Sequence, residues 1–561
     1  MKKIVLKWVL KNYSEFGSVN AKFVMGMCLR EEGSLKKDVL KLMKEIEKAI
    51  GSVDKLGKEG AKKKLKKDFP EMVGEKKEKK KGPLKELPGA AKGKVVVRIA
   101  PSPSGPMHIG HAYGASLNYE YAKMYSGRFV LRIEDTNPEN IYSGAYSLIE
   151  DDAQWLTDKG VSSVVVQSAR LGKYYDYAEK LVSLGKAYVC ECDKDEWRKM
   201  KADGKACGCR KVSVKEQQIR YAKMFNSYAE GEAVLKLKTS LDDKNPAMRD
   251  FSIMRINEQV HPKTGKDSRV WPLMVFSVAI DDHELGMTHV LNGKDHTDNA
   301  RKEALIMEYL GWKAPTYLHW GRINFEGFKL STTATKRAIE QGEYTGWDDI
   351  RLMTLMALRR RGYQAGAFRR YALEIGLSLN DKTVSQEEFW KNVNAFNRDL
   401  IEASANRYFF VDKPKKIKVS GFEGGKAEIE LHPNFPKRGS RKFKLGQEFW
   451  INSGDLEWMD EGKIHRLMDA FNFEIVGGKF KFVSQNYDDF KNAKNKGRII
   501  HWLPVGSELK MSVLMDDGTE VKGYGEKGLL DLKEGEIVQL ERKYFARLDD
   551  KKKLKFWYLH K

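Results

Sequence analysis

Apolar residues recur at helical spacing near the start of the chain, for example at Val39, Leu40, Leu42, Met43, Ile46 and Ile50. That spacing predicts a small helical unit over residues 1–75. The pattern then changes: residues 62–81 are dense in lysine, and the prolines and glycines of 82–89 stop regular structure, so 76–94 reads as a basic linker. Residues 95–100 read as a short, fully buried strand. The run Pro-Ser-Pro-Ser-Gly-Pro at 101–106 breaks it, and helical spacing returns over 107–125. Strand and helix alternate over 95–185, and the alternation resumes over 269–325. A sheet split by an insertion fits both halves. The insertion, 186–268, holds a cysteine cluster, an amphipathic helix over 214–228 and a strand over 232–238. Residues 326–405 are mainly helical and basic. From 406 to 561 short alternating strands with Gly and Pro turns, as at 415–419, 426–431 and 535–541, predict barrels. The fold class expected is α/β multidomain, with a helical appendage, a split Rossmann-type domain, a helical region and a C-terminal β region.

Composition narrows the partners. Lysine and arginine exceed aspartate and glutamate by 101 to 78, a formal charge of +23, which suits a polyanion whose counterions basic side chains displace. No apolar run reaches the roughly 18 residues that span a bilayer, and no secretory cleavage site is evident at the N-terminus, so a cytoplasmic protein with no membrane partner is expected. Five cysteines in 561 residues make no disulfide framework. Four of them cluster as Cys190, Cys192, Cys207 and Cys209, two close pairs that suit a closed tetrahedral zinc site of structural type, with reduced structural thiols or redox pairs as the alternatives. Cys28, among Met25, Met27 and Leu29, reads as packing.

The strand-to-helix turn carries the clearest chemistry. His108 and His111 fall at the N-terminus of the helix after the first strand, where unpaired N–H groups and the helix dipole favour phosphate, and Gly110 permits close approach to the backbone. Two capping histidines on an ordinary helix is the plainer reading. Arg98 and Glu134 end the first two strands, on the edge where open sheets bind ligands; a cation and an anion across a crevice suit a zwitterion.

The run from Arg98 to His111 resembles the "HIGH" region of class I aminoacyl-tRNA synthetases, and its surroundings resemble glutamyl-tRNA synthetases of the archaeal type. Further matches follow in order: Arg132-Ile133-Glu134-Asp135-Thr136, Asp281-Asp282-His283, Gly293-Lys294-Asp295-His296, Lys329-Leu330-Ser331, Gly346-Trp347-Asp348-Asp349 and Arg359-Arg360-Arg361-Gly362-Tyr363. The resemblance runs from about residue 95 to the C-terminus. It implies ATP-dependent attachment of L-glutamate to tRNA-Glu through a glutamyl-adenylate, with Mg²⁺ accompanying ATP. It places Pro101, Gly105, His108, Gly110, His111 and Lys329 around ATP, and it gives His108, His111, Lys329 and Ser331 the catalytic roles. Arg98, Ser102, Glu134, Met274 and Asn292 fall around the amino acid. It also makes 186–268 an acceptor-stem domain, 326–405 a stem-contact region and 406–561 a tandem β-barrel anticodon domain. For tRNA phosphates the basic candidates are Arg359, Arg360, Arg361, Arg369, Arg370, Arg438 and Arg441. A protein partner is the expectation for the helical appendage.

The chain departs from the resembled pattern in three places, two single positions and a loop. Asn292 stands where an arginine is usual, and an amide supplies neither its charge nor its bidentate fork; Lys294 or Arg269 is the expected compensation. Met274 replaces a tyrosine. In the mobile "KMSKS" loop, Thr332 and Ala334 stand where lysines are found, which leaves Lys329, Lys336 or Arg337 to neutralise pyrophosphate. Glutaminyl or dual specificity, including charging of tRNA-Gln, and a catalytically impaired tRNA-binding paralogue are the alternative readings.

Overall fold

The computed structural model describes residues 1–69 and 84–561; the lysine run at 76–81 and the start of the expected linker lie outside the described residues. The chain divides into two compact units, 1–85 and 86–561. The first holds helices α1 (Lys2–Phe16), α2 (Ala21–Glu31), α3 (Val39–Asp54) and α4 (Gly57–Asp68). Their apolar faces meet around Val9, Leu10, Val24, Leu42 and Ile46. Cys28 is buried in that core, and burial pushes its thiol up to about 11. Gly17 ends α1 with φ 74°, a conformation that costs glycine least.

The second unit is built on parallel strands. β1 (Val96–Ile99) pairs with β2 (Arg128–Ile133), and β2 with β3 (Ser163–Val166); the helices α5 (Ile109–Met124), α6 (Ala145–Leu156) and α7 (Leu171–Ser183) follow the three strands in turn. The strands stop where expected because Gly127 and Pro101 bound the apolar runs. After the insertion the fold resumes with α10 (Met274–Glu284), β8 (His289–Gly293), α11 (Thr297–Tyr309) and β9 (Thr316–Trp320), with β8 parallel to β9. Thr288, just before β8, joins the two halves: its N–H donates to Val96 O at 3.0 Å, and its Oγ1 accepts from Val96 N at 2.9 Å. The order across the sheet is therefore β3-β2-β1-β8-β9. It reverses between β1 and β8, the switch point outside whose carboxyl ends such sheets bind ligands. Residues 86–94 pack on this body, with Leu87 buried and Pro88 O within 3.0 Å of His289 Nε2.

The insertion is a four-stranded antiparallel sheet of β4 (Ala187–Cys190), β5 (Val234–Leu237), β6 (Ser252–Ile256) and β7 (Val270–Pro272), with α8 (Lys194–Ala202) and α9 (Val214–Met224) between the first two strands. It runs past the expected boundary at 268 because β7 pairs with β6. A buried Val-Trp pair suits the edge of either sheet, so composition could not assign it.

Downstream, β10 (Ile323–Phe325) pairs in parallel with β11 (Lys382–Val384) around α12 (Thr332–Glu340), α13 (Leu355–Arg361) and α14 (Ala365–Ile375), and α15 (Gln386–Ile401) follows. The β region forms two seven-stranded sheets, one nested within the other in sequence. Strands Asn406–Tyr408 and Phe410–Asp412 belong to a sheet whose other strands lie between 509 and 560; the strands from 414 to 504 build the second sheet, except Gly425–Glu430 and Ser440–Leu445, which pair with each other as a separate hairpin. Strand Lys555–His560 is central in the outer sheet, flanked by Tyr544–Asp550 and Leu509–Leu514. Among the described residues no helix is long and apolar enough to cross a membrane.

Candidate active site

The turn between β1 and α5 is fixed by its own histidines. His108 is the N-cap of α5. Its Nδ1 accepts from Gly110 N at 3.1 Å, and His111 Nδ1 accepts from His108 N at 3.3 Å. A ring nitrogen that accepts from a backbone N–H carries no proton, so each neutral ring carries its proton on Nε2. Burial pushes both imidazoles down, His111 to about 4, and the pair presents two neutral donors at a helix N-terminus. The capping reading and the phosphate reading are thus compatible: Nδ1 does the first and Nε2 is left for the second. A Cβ on Gly110 would lie 2.9 Å from the His108 ring, and one on Gly105 would lie 2.9 Å from Trp347. From outside, Leu355 N donates to Met107 O at 2.8 Å, and Met107 N to Asp152 Oδ2 at 2.9 Å.

Beside this turn lies a cavity of about 270 Å³ whose walls include Arg98, Gly110, His111, Glu134, Met274, Asn292, Glu303 and Trp320. Arg98, Glu134, Asn292 and Trp320 come from the carboxyl ends of β1, β2, β8 and β9, as the strand order requires, and the other four from helices α5, α10 and α11. Under it is an ion network that the sequence left unassigned. Arg98 forks onto Asp282 with Nε–Oδ1 2.7 Å and Nη2–Oδ2 3.0 Å; Arg132 donates to Asp282 Oδ1 at 2.5 Å and to Glu134 Oε1 at 2.8 Å. Asp281 takes Arg170 at 2.7 Å, Tyr174 at 2.8 Å and Gln167 at 3.0 Å. Burial alone would raise the Asp282 carboxyl, but Arg98 and Arg132 outweigh it and hold it below the usual range.

Several expected residues are placed elsewhere. Ser102 is exposed and absent from the cavity wall. Lys294 is bound to Asp381 at 2.7 Å, and Arg269 is held by Glu258 and by Tyr228 O, so neither supplies the charge that Asn292 lacks. Asn292 itself is tied to His319 Nδ1 at 2.7 Å. Pro101 acts through its backbone, its O accepting from Glu134 N at 3.0 Å. The residue missed is Glu303. Its signal was a charge at 300, 303, 306 and 307 spacing, where α11 otherwise buries Ala300, Ile306 and Met307.

The loop at 329–334 abuts the turn. Thr332 Oγ1 and Ser104 Oγ are 2.9 Å apart, and Lys329 lines a separate cavity of about 590 Å³ with Ser331, Thr335 and Arg351. Ser331 caps α12 by accepting from Ala334 N at 3.3 Å, a structural use of a side chain expected to be catalytic. Lys336 lies 3.9 Å from Glu340.

The basic candidates divide sharply. Arg359 is exposed. Arg360 forks onto Asp549 at 2.9 and 2.8 Å and reaches Asp348 at 2.7 Å, and Arg361 is buried, donating to Tyr558 O at 3.2 Å and Leu559 O at 3.0 Å. Arg441 is buried between Glu526 and Glu541 at 2.8 and 3.2 Å. Three successive helical positions face three directions, so Arg361 is buried while Arg360 is half-exposed and ion-paired; Arg361 and Arg441 hold the fold. Arg438 caps Ala403 O and packs on Phe435; Arg369 is held by Glu120 and Asp158.

Cys190, Cys192, Cys207 and Cys209 converge, their Sγ atoms all within 4.8 Å of one another. Cys190–Cys207 is 3.9 Å and Cys192–Cys209 is 3.8 Å. A Zn–S bond of about 2.3 Å in a tetrahedron sets neighbouring sulfurs about 3.8 Å apart, so the spacing fits zinc. Lys236 Nζ lies 3.1 Å from Cys190 Sγ, a cation suited to a thiolate cluster.

A split doubly wound sheet, with a phosphate-competent helix terminus and a charge-lined cavity at its switch point, defines a nucleotide-dependent enzyme acting on a small zwitterion. The chain belongs to the class I tRNA synthetases of the E and Q group: the catalytic-domain model of that family matches residues 94–403, and its two anticodon-binding models match 405–488 and 499–549. It is similar to the glutamate–tRNA ligase of Pyrococcus furiosus, 45% identical over 98% of this chain and 97% of that one. Those of Methanobrevibacter smithii, at 42% over all of both chains, and Thermococcus kodakarensis, at 41% over 98% and 97%, are also similar.

Proposed function

We propose that the cavity at the β1/β8 switch point holds glutamate, that the His108–His111 turn holds the phosphates of ATP, and that the protein is a glutamate–tRNA ligase. The observation that carries this reading is the contiguity of the two sites: His111 and Gly110 belong both to the helix terminus and to the cavity wall. A carboxylate in the cavity is therefore within reach of a phosphorus bound at the turn, the arrangement that adenylate formation needs. The two neutral Nε2–H groups strengthen their hydrogen bonds as charge develops on the phosphate oxygens, with no protonation step. Glu134 is the anion for the substrate ammonium. Lys329, with no ion-pair partner among the described residues, is the cation of the loop that abuts the turn. Mg²⁺ accompanies the ATP phosphates, and the four cysteines hold a structural zinc that keeps the 190–209 loops together.

The test is tRNA charging by the purified full chain, with glutamate and glutamine each offered on tRNA-Glu and tRNA-Gln. Glutamate on tRNA-Glu is the expected product. Charging of glutamine instead would move the reading to the other amino acid of the group, and no charging at all would leave only a tRNA-binding relative. His111→Ala should reduce adenylate formation roughly 100-fold or more with tRNA affinity little changed; equal losses in both would remove His111 from its role.

A further inference from the structure

Glu303 is 3% exposed, lies in the wall of the amino-acid cavity, and has an Oε2 that is sealed from solvent without a hydrogen-bond partner. The buried Tyr317 hydroxyl lies beside it, close enough that burial and then the Glu303 carboxyl push the tyrosine up. Unpaired buried carboxyl groups are costly, and a place where one persists is a place where a ligand completes it. The rest of the network is balanced: Arg98, Arg132 and Arg170 face Asp281, Asp282 and Glu134. Glutamate brings a side-chain carboxylate into this balanced site, and the residue that could have met it with charge is Asn292, already bound to His319. Arg98 retains Nη1, since Asp282 takes Nε and Nη2.

We infer that Glu303 is a specificity-determining residue: its carboxyl, in the neutral form, donates a hydrogen bond to the side-chain carboxylate of the substrate and shares that carboxylate with Arg98. The inference rests on the glutamate reading above. The groups facing Glu303 are Asp282 on α10, Arg98 on β1, Arg132 and Glu134 at β2, and Tyr317 on β9. Burial and then Asp282 push the Glu303 carboxyl up, against the pull of Arg98 and Arg132, to about 8. At pH 7 the proton is on, and Glu303 is a donor that adds no charge. Above pH 8 the proton leaves, the donor is lost, and the cavity gains a negative charge that repels glutamate while accepting from the amide of glutamine. Selection between two nearly isosteric amino acids thus depends on one proton.

The experiment is tRNA charging by the full chain from pH 6.5 to 9 with each amino acid, for wild type, Glu303→Gln and Glu303→Ala. For the wild type, KM for glutamate should hold level to about pH 8 and then rise up to roughly tenfold per pH unit, while KM for ATP stays level. Glu303→Gln, whose amide cannot titrate and still offers an N–H, should abolish the rise. Glu303→Ala should raise KM for glutamate roughly tenfold at pH 7 and change kcat less than KM. A wild-type KM that stays flat to pH 9, or a rise equally present in Glu303→Gln, overturns the inference while leaving the synthetase reading intact. A wild type that charges no glutamate at any pH overturns both.

Discussion

Asp282 shows how much of this site rests on residues that never touch a substrate. Its carboxylate joins Arg98 to Arg132 with no exposed surface of its own. Removing one member of a buried ion network leaves the others desolvated and unpaired, which costs roughly 3–5 kcal/mol. Asp282→Asn should therefore lower the unfolding midpoint of the full chain and swing Arg98 out of register, raising KM for glutamate. An unchanged midpoint would show that the two arginines find other partners. The sequence displayed Arg98 and Glu134 as strand-end charges facing a crevice, and the structure puts both in the cavity wall. It did not display Arg132 or Asp282 as partners, because pairing across 150 residues follows from the strand order and no local pattern encodes it.

Elements show a similar division. The turn at 101–111 was legible because its prolines, glycines and histidines each restrict the backbone in a known way; the second strand was legible because its apolar run ends sharply at Glu134. Loops that serve as caps were not. Ser331, expected to be catalytic, also caps α12 by accepting from Ala334 N, a second use that no local pattern displays. The cysteine loops belong at this scale too, since four side chains from two short segments converge where a single ion would bind them. About one zinc per purified chain is the expected result. Chelation should speed hydrogen exchange over 190–212 and leave the turn at 107–112 protected. Metal-free protein with that segment still protected would show that thiol packing alone suffices.

For the molecule as a whole, α13 couples the catalytic body to the outer β sheet. Arg361 donates into the last strand through Tyr558 O and Leu559 O, and Arg360 grips Asp549. Arg361→Ala should weaken this joint by about 1–3 kcal/mol, seen as faster hydrogen exchange in Lys555–His560, whereas Arg359→Ala should lower tRNA affinity at an unchanged unfolding midpoint. If Arg361→Ala left that strand as protected as before, the joint would have to lie elsewhere. Three adjacent arginines look alike in sequence, and only the packing of α13 separates a solvent-facing charge from a half-exposed, ion-paired one and a buried one.

The nesting of the two sheets has a consequence for how the protein is made. As the chain leaves the ribosome, the inner sheet has all its strands once residue 504 has emerged. The outer sheet must wait, because its middle position belongs to residues 555–560. Until those residues are free, strands 406–412 and 509–550 present unpaired edges and Arg361 has no carbonyl to meet. The joint between the catalytic body and the outer sheet therefore forms after the inner sheet, and a chain interrupted before residue 555 has no carbonyl for Arg361 to meet.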